Sequence, residues 1–543
     1  MLSSKTAALL VVLLVASSLA GYFAGTSTLV PERIVRTTTV TTTETMLKTV
    51  TSKVTTVFTL GFPNPDIIFY DGIVLTMEED QPEAQALAVQ GDRILAVGSN
   101  EEILALRTQK TNVIDLEGRV LLPGFVDAHT HVFNDAMMRL GMSLNDAQQL
   151  ALKNGITCLA DMYVEPAFLN EMQKFAKQGE LRVRTSLYLV YDTNCGIIEA
   201  YLGNWYKQHP PTRQPGEMLR IGGVKIFADG GSCGLPAVSY GDQKGDLWLT
   251  QGQLNEIVAE AQAAGYQVAI HALGDRAIEE AQNAIEFALA GKPNSLRHRI
   301  EHNTIVRPDL LHRYGEIGIV ATFFGYFFAR RVAAGELSWL FPMEQQSWIW
   351  PYRALLDANP GLHVAWHSDY PWCGPISPQL QLYGLVTRNE VAENGTVCQA
   401  PDWLAANKIP VQEALRMMNI GAAYAIFREE EVGSLKPGKF ADLVVLSENP
   451  LTVDPGVIKD IQVLLTMVGG RVEYCASGHE ALCKPIKSLT TTPAMEISPL
   501  GLISVLPLAV ILPVWRMRDV VLKSACFHIF RRFAHRLEAM FRS

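Results

Sequence analysis

From residue 126 onward, short apolar runs alternate with stretches whose apolar positions recur every three or four residues, the pattern of buried strands followed by amphipathic helices. The runs predict strands at Val126–His131, Ile156–Met162, Val183–Val190, Gly223–Asp229, Tyr266–Ala272, His298–Asn303, Gly318–Phe324 and His363–Asp369. Between the fourth and fifth, LNEIVAEAQAAG has helical spacing and stops at Gly265. After the fifth, RAIEEAQNAIEFALA repeats the pattern, with Asp275 expected to cap a helix beginning near Arg276. Eight β/α units predict an α/β fold, a (β/α)8 TIM barrel whose chemistry sits at the C-terminal ends of its strands.

Two pieces of different texture flank these units. DIIFYDGIVLTMEE through RILAVGS to NVIDLEGRVLLPG, and GSLKPGKFADLVVLSENP to VLLTMVGGRVEY, hold short strands broken by Gly and Asp turns. They are expected to pair as one small β-sandwich, from residues 63–122 and 425–476, beside a barrel at 123–424.

The ends of the chain change the picture. One Lys precedes an apolar run from Ala7, and Ser18-Leu19-Ala20 resembles a cleavage site, so residues 1–25 read as a signal peptide or an N-terminal membrane anchor. Thr fills 12 of the 23 positions from Thr37 to Thr59, so 26–62 reads as a Thr-rich stalk. After a linker at 477–496, the 19 residues from Ile497 to Trp515 carry no charge and read as a transmembrane segment, Pro499, Pro507 and Pro513 being tolerable in a membrane. Residues 516–543 form a basic tail, with Arg516, Arg518, Lys523, Arg531, Arg532, Arg536 and Arg542 against Asp519 and Glu538. The positive-inside tendency puts that tail in the cytoplasm. The expectation is a cell-membrane protein with its core extracytoplasmic.

Net charge is −9, which gives no reason to expect a nucleic-acid partner. The eight cysteines include no CxxC pair, against a structural zinc module, while Cys475 and Cys483 are placed to bridge in an oxidising compartment. Asn394-Gly395-Thr396 is a glycosylation sequon.

Candidate chemistry gathers at the predicted strand ends. LPGFVDAHTHV closes on His129 and His131, which on a regular strand share one face about 7 Å apart, able to grip one divalent cation. Strand four carries Lys225 amid apolar residues, with Phe227 and Asp229 on the same face. Strands five, six and eight end at His271, His302 and Asp369. Each alone reads as a core histidine, a cap or a snorkelling lysine. Together they place four His, one Asp and one Lys at one end of one barrel. His298 shares a predicted face with His302 but lies deeper, and reads as structural.

LPGFVDAHTHV, VKIFADGG, HALGDRAIEEA, RHRIEHNTIVRPD, HSDYP and GSLKPGKFADLVVL resemble the amidohydrolase superfamily, specifically its amidohydrolase-3 (YtcJ-like) branch, from about Asp66 to Tyr474. The resemblance implies metal-dependent hydrolysis of C–N bonds outside peptides, in a small-molecule substrate. It implies two divalent ions, zinc by donor type, with His129, His131 and Asp369 at the more buried one, His271 and His302 at the second, and Lys225 bridging as a carbamate. A bridging water is then the nucleophile, and Asp369 the group that moves its proton to the leaving nitrogen. His367, two residues before Asp369, is a candidate outer partner of the ligands, and Asp229 a candidate for substrate contact or loop support.

The FNDAMMRLGMSLNDAQQLALKN stretch is shorter than that branch usually shows, which leaves the substrate open. The membrane packaging is not implied by the family. An esterase, lactonase or phosphotriesterase could use the same site, and a non-catalytic binding barrel is a further alternative. A mononuclear deaminase would want a Glu three residues after His271, where Gly274 stands.

Overall fold

Eight parallel strands lie in chain order in one sheet: β1 (Phe125–Thr130), β2 (Ile156–Val164), β3 (Arg184–Val190), β4 (Leu219–Phe227), β5 (Gln267–Ala272), β6 (Arg299–His302), β7 (Val320–Phe323) and β8 (Val364–Trp366). This computed structural model describes residues 64–483, with the strand segments 38–42 and 50–54. The sheet closes through the segment after β8: Asp369 N donates to the His129 carbonyl at 3.0 Å, and His131 N to the Tyr370 carbonyl at 2.9 Å. Asp127 adds a side-chain clasp to the same seam, accepting from Ser368 N at 2.9 Å and from the Ser368 hydroxyl.

Small residues fill the lumen. Val126, Ala128, Cys158, Ala160, Ala269 and Ala365 pack around Tyr188, which suits a closed barrel whose interior is side chains rather than pore. Larger aliphatic residues face the surrounding helices. The helix Gln251–Ala263 opens with a Thr250/Gln253 capping box and stops before Gly265, which has φ +84°. The helix Asp275–Leu289 follows β5 as the pattern predicts. Its N-cap, however, is Gly274; Asp275 is the first helical residue, and its carboxylate accepts from Ser239 N at 2.9 Å and meets Arg307 Nη1 at 3.2 Å.

The two flanking pieces meet. Val120–Pro123 pairs antiparallel with Leu443–Leu446, and a six-stranded sheet grows from that seam. It packs on a four-stranded sheet through Ile67, Phe69, Leu87, Leu443, Val445 and Leu465. Ordered structure continues past the expected edge of the sandwich at residue 476. Glu480–Cys483 forms a 3-10 turn, Leu482 is buried in the sandwich core, and Cys483 is disulfide-bonded to Cys475. Within the expected Thr-rich stalk, Thr38–Thr42 and Val50–Val54 pair with each other as antiparallel strands. Among the described residues no helix is long and apolar enough to cross a membrane; the segments 1–25 and 497–515 and the basic tail lie outside them.

Candidate metal centre

The chain departs from regular strand geometry where the site begins. On β1, Asp127 pairs with Leu159 and Thr130 with Asp161, three residue steps against two, so one extra residue bulges out. Such a bulge resets the alternation of faces. Ala128 belongs to the lumen, yet the His129 ring also turns inward. His131 lies one residue beyond the strand, at the N-cap position of the helix Val132–Met138. The two histidines thus meet through a bulge and a turn rather than along one strand face. Their Nε2 atoms are 3.3 Å apart.

Asp369 completes this group. Its Oδ1 is 3.3 Å from His129 Nε2 and 3.2 Å from His131 Nε2, and all three residues are buried. Burial alone would raise the Asp369 carboxyl; the His129 and His131 imidazoles outweigh it and hold the group well below the usual carboxylate range. Asp369 has φ +52°, a conformation costly for a residue with a side chain and one that clusters at functional sites.

A partner not anticipated in the sequence orients His129. Its Nδ1 donates to Glu301 Oε2 at 2.6 Å, which leaves the Nε2 lone pair free for a cation. Glu301 in turn accepts from Arg299 Nε at 2.5 Å and Nη2 at 2.8 Å. Burial opposes the Glu301 carboxylate, but Arg299 draws it down to about 2. No sequence signal pointed to Glu301 beyond its place in RHRIEH, because strand alternation assigns it and His302 to opposite faces.

His302 escapes that alternation. With φ +73° it bends out of strand geometry, so its ring reaches the mouth, 4.9 Å from the His129 ring and 4.7 Å from that of His271. His298, predicted on the same face, points instead at the helix layer: Nδ1 accepts from Val268 N at 3.0 Å and Nε2 lies 2.8 Å from Gln262 Oε1.

His271 Nε2 donates to the Gly230 carbonyl at 3.0 Å, so Nδ1 carries its free lone pair. Burial and the Lys225 charge push His271 down to about 3, and burial with the neighbouring imidazoles keeps His302 well below 6.5. Both rings are therefore neutral, the form a metal needs. His367 stacks on His129 at 4.9 Å and has no hydrogen bond on either nitrogen among the described residues. His129, His302 and His367 can offer nitrogens to one ion, which puts His367 within the cluster rather than outside it.

Lys225 is fully buried, its Nζ without a hydrogen bond among the described residues and 4.9 Å from the Phe227 ring. Burial pushes the ammonium down to about 8, against the pull of Glu301 and Asp369. Asp229 lies beyond the end of β4 and supports loops: it accepts from Leu273 N at 3.0 Å, Gly274 N at 2.8 Å and Ala237 N at 2.9 Å. A Cβ at Gly274 would collide with the Ala237 backbone, so the position that a deaminase gives to Glu is closed here to any side chain.

The sequence model of the amidohydrolase family matches residues 112–154 and 139–474. The chain is 26% identical over 269 residues to the putative amidohydrolase YtcJ of Bacillus subtilis (strain 168), covering 48% of each. It is 30% identical over 272 residues to the N-substituted formamide deformylase of Arthrobacter pascens, covering 48% of this chain and 47% of that one. The match thus spans about half the length of these curated relatives. Imidazolonepropionase of Symbiobacterium thermophilum is 28% identical over 402 residues, 67% of this chain and 83% of its own. Among solved structures, an uncharacterised metal-dependent hydrolase of Pyrococcus horikoshii OT3 superposes with a TM-score of 0.59 at 17% identity, over 72% of this chain and 99% of that one, which shows a shared fold.

Proposed function

The chain belongs to the amidohydrolase family, and from that premise we propose that it is a metal-dependent hydrolase cleaving a carbon–nitrogen bond outside peptides in a small molecule. One observation carries the reading: two buried imidazoles and an ionised carboxylate converge within 3.3 Å, with the outer nitrogen of His129 already committed to Glu301. That donor set fits a divalent cation, and unpaired buried nitrogens on His131, His302 and His367 fit it further. His129, His131 and Asp369 would hold one ion, and His271 and His302 a second. Donor type favours zinc.

When bound, the ions supply Lewis acidity for the scissile carbonyl and a water acidified toward neutrality. Asp369 takes the proton of the attacking water and delivers it to the leaving nitrogen. Glu301 keeps His129 in one tautomer throughout. Lys225, carboxylated to a carbamate, would join the two halves. A bare ammonium there would repel two dications, whereas carboxylation removes its positive charge and adds oxygen donors. The relative from Arthrobacter pascens acts, by its name, on an N-substituted formamide, which supports an N-substituted amide as substrate. The closure of Gly274 weighs against a deaminase.

The reading extends to an extracytoplasmic enzyme tethered to the cell membrane. The disulfides Cys195–Cys233 and Cys475–Cys483 fit an oxidising compartment, and the apolar segments at 1–25 and 497–515 fit the tether. Protease added to intact cells is expected to digest the core; full protection would place it inside. For the chemistry, elemental analysis of the purified chain supplied with bicarbonate and mixed divalent metals is expected to find about two ions per chain, falling when Lys225 is replaced by Ala. One ion, indifferent to Lys225, would remove the second half of the site. No bound metal would end the enzyme reading.

A further inference from the structure

Large apolar side chains left in water are not scattered over this surface. Six of those exposed among the described residues, Met138, Ile197, Ile198, Tyr201, Met343 and Trp372, lie on segments leaving the C-terminal ends of β1, β3, β7 and β8. The other two sit away from the mouth, Phe287 near the C-terminal end of the helix Asp275–Leu289 and Val457 on the turn Pro455–Asp460. In a TIM barrel those C-terminal segments surround the mouth. The exposed apolar surface is therefore a rim, and its placement asks for an occupant.

Polar groups on the rim hold some of its aromatic residues in place. Asp135 accepts the Trp372 indole N–H at 2.7 Å, the Arg139 guanidinium lies 3.9 Å over the Trp372 ring, and Glu165 accepts the Tyr201 hydroxyl at 3.2 Å. Inside the mouth the flanks of the histidine cluster are aromatic. Phe227 is 5.0 Å from the His271 ring and Phe324 is 5.6 Å from that of His367, with Tyr163 packed on Phe227 at 6.1 Å. An apolar group seated against Phe227 and Phe324 exchanges water for aromatic surface, and a carboxylate seated there would lose hydration that the rings cannot replace.

We infer that the substrate, on the reading just given, is an uncharged amide whose nitrogen carries a bulky apolar group, aryl, arylalkyl or long alkyl. Phe227 and Phe324 seat that group beside the histidines, and the rim gathers it from solvent.

The test uses the full chain loaded with metal, and N-alkylformamides from N-methyl to N-octyl, with N-benzylformamide and its 4-carboxybenzyl analogue. The expected kcat/KM rises about fourfold per added methylene until the pocket is filled, following the transfer free energy of a buried CH2. The 4-carboxybenzyl compound is expected to fall at least about tenfold below the benzyl one. Ile198→Ser and Trp372→Ala are each expected to lower the N-octyl to N-methyl ratio. A flat series, or preference for the carboxylated compound, overturns the inference while leaving the amide hydrolase standing. So does a pair of rim variants that alter self-association or vesicle binding but not the ratio, because the rim would then serve a partner. Binding of the same formamides to the metal-stripped chain is measured by calorimetry. If no formamide is hydrolysed yet the N-octyl compound binds far more tightly than the N-methyl one, formamide hydrolysis fails and the apolar site remains.

Discussion

Inside the barrel the Glu301 carboxylate takes hydrogen bonds from Arg299 on one side and His129 Nδ1 on the other, and none of the three side chains meets water. Removing the carboxylate has two separable consequences. Arg299 becomes a buried cation without its counter-charge, which typically costs about 3–5 kcal/mol. His129 loses the acceptor that fixes its tautomer, which typically weakens metal binding about 10–100-fold. Glu301→Gln is therefore expected to lower stability in equilibrium unfolding and to weaken divalent-metal binding in a chelator competition. A variant as stable and as tightly loaded as the parent would contradict this account. His298 belongs to the same scale but to the other side of the strand. Burial pushes it down to about 4, so the folded chain keeps it neutral while the unfolded chain protonates it below about 6.5. Its contribution is fully present above pH 6.5 and is lost as pH falls toward 4, on the order of 3 kcal/mol. His298→Gln is expected to flatten the loss of unfolding free energy between pH 7 and 4.5.

Among the elements, the loops after β3 and β4 are joined by Cys195–Cys233, a disulfide enclosing 38 positions of sequence separation. The second loop carries Gly230, whose carbonyl holds His271, and Gly231, at φ +121°, where a Cβ would collide with Leu273. The cross-link therefore stiffens the segment that sets one histidine. Chain-entropy reasoning assigns it about 4 kcal/mol, against about 2.5 kcal/mol for Cys475–Cys483 with its separation of 8. Cys195→Ser is expected to lower the urea midpoint more than Cys475→Ser does, and, on the two-ion reading proposed above, to loosen the ion at His271 selectively. Equal loss of both ions would show that the loop does not act through His271.

At the scale of the whole molecule, barrel and sandwich are locked by a buried ion pair. Arg184, at the start of β3, meets Asp442 at 2.7 Å through Nε and 3.1 Å through Nη2, and Asp442 also accepts from Gly469 N at 2.8 Å. The Arg184 guanidinium lies 3.7 Å over the Phe440 ring. Arg184→Ala leaves Asp442 buried without its cation, a loss expected near about 3–5 kcal/mol. Because the pair spans both layers, the loss is expected to separate barrel and sandwich unfolding into two transitions by calorimetry, or to lower a single shared one. An unchanged profile would mean that the seam Val120–Pro123 with Leu443–Leu446 alone couples the layers.

Much of this was legible in the chain itself. Apolar periodicity is local, so eight β/α units and two β-rich flanks could be read directly, and the ends of those units pointed to His129, His131, His271, His302 and Asp369. Period-two alternation holds only where a strand is regular. The bulge on β1 and the left-handed residues His302 and Asp369 break it, and they aim the ring at His129 and place Glu301 where alternation would not. The Glu301–His129 bond joins residues 172 apart, and Arg184–Asp442 joins residues 258 apart. Such pairings have no period to follow and exist only once the barrel has closed. Sequence alone determined the fold class and the donor types; the closed barrel decided which donors face one another, because convergence on one point is a property of three dimensions.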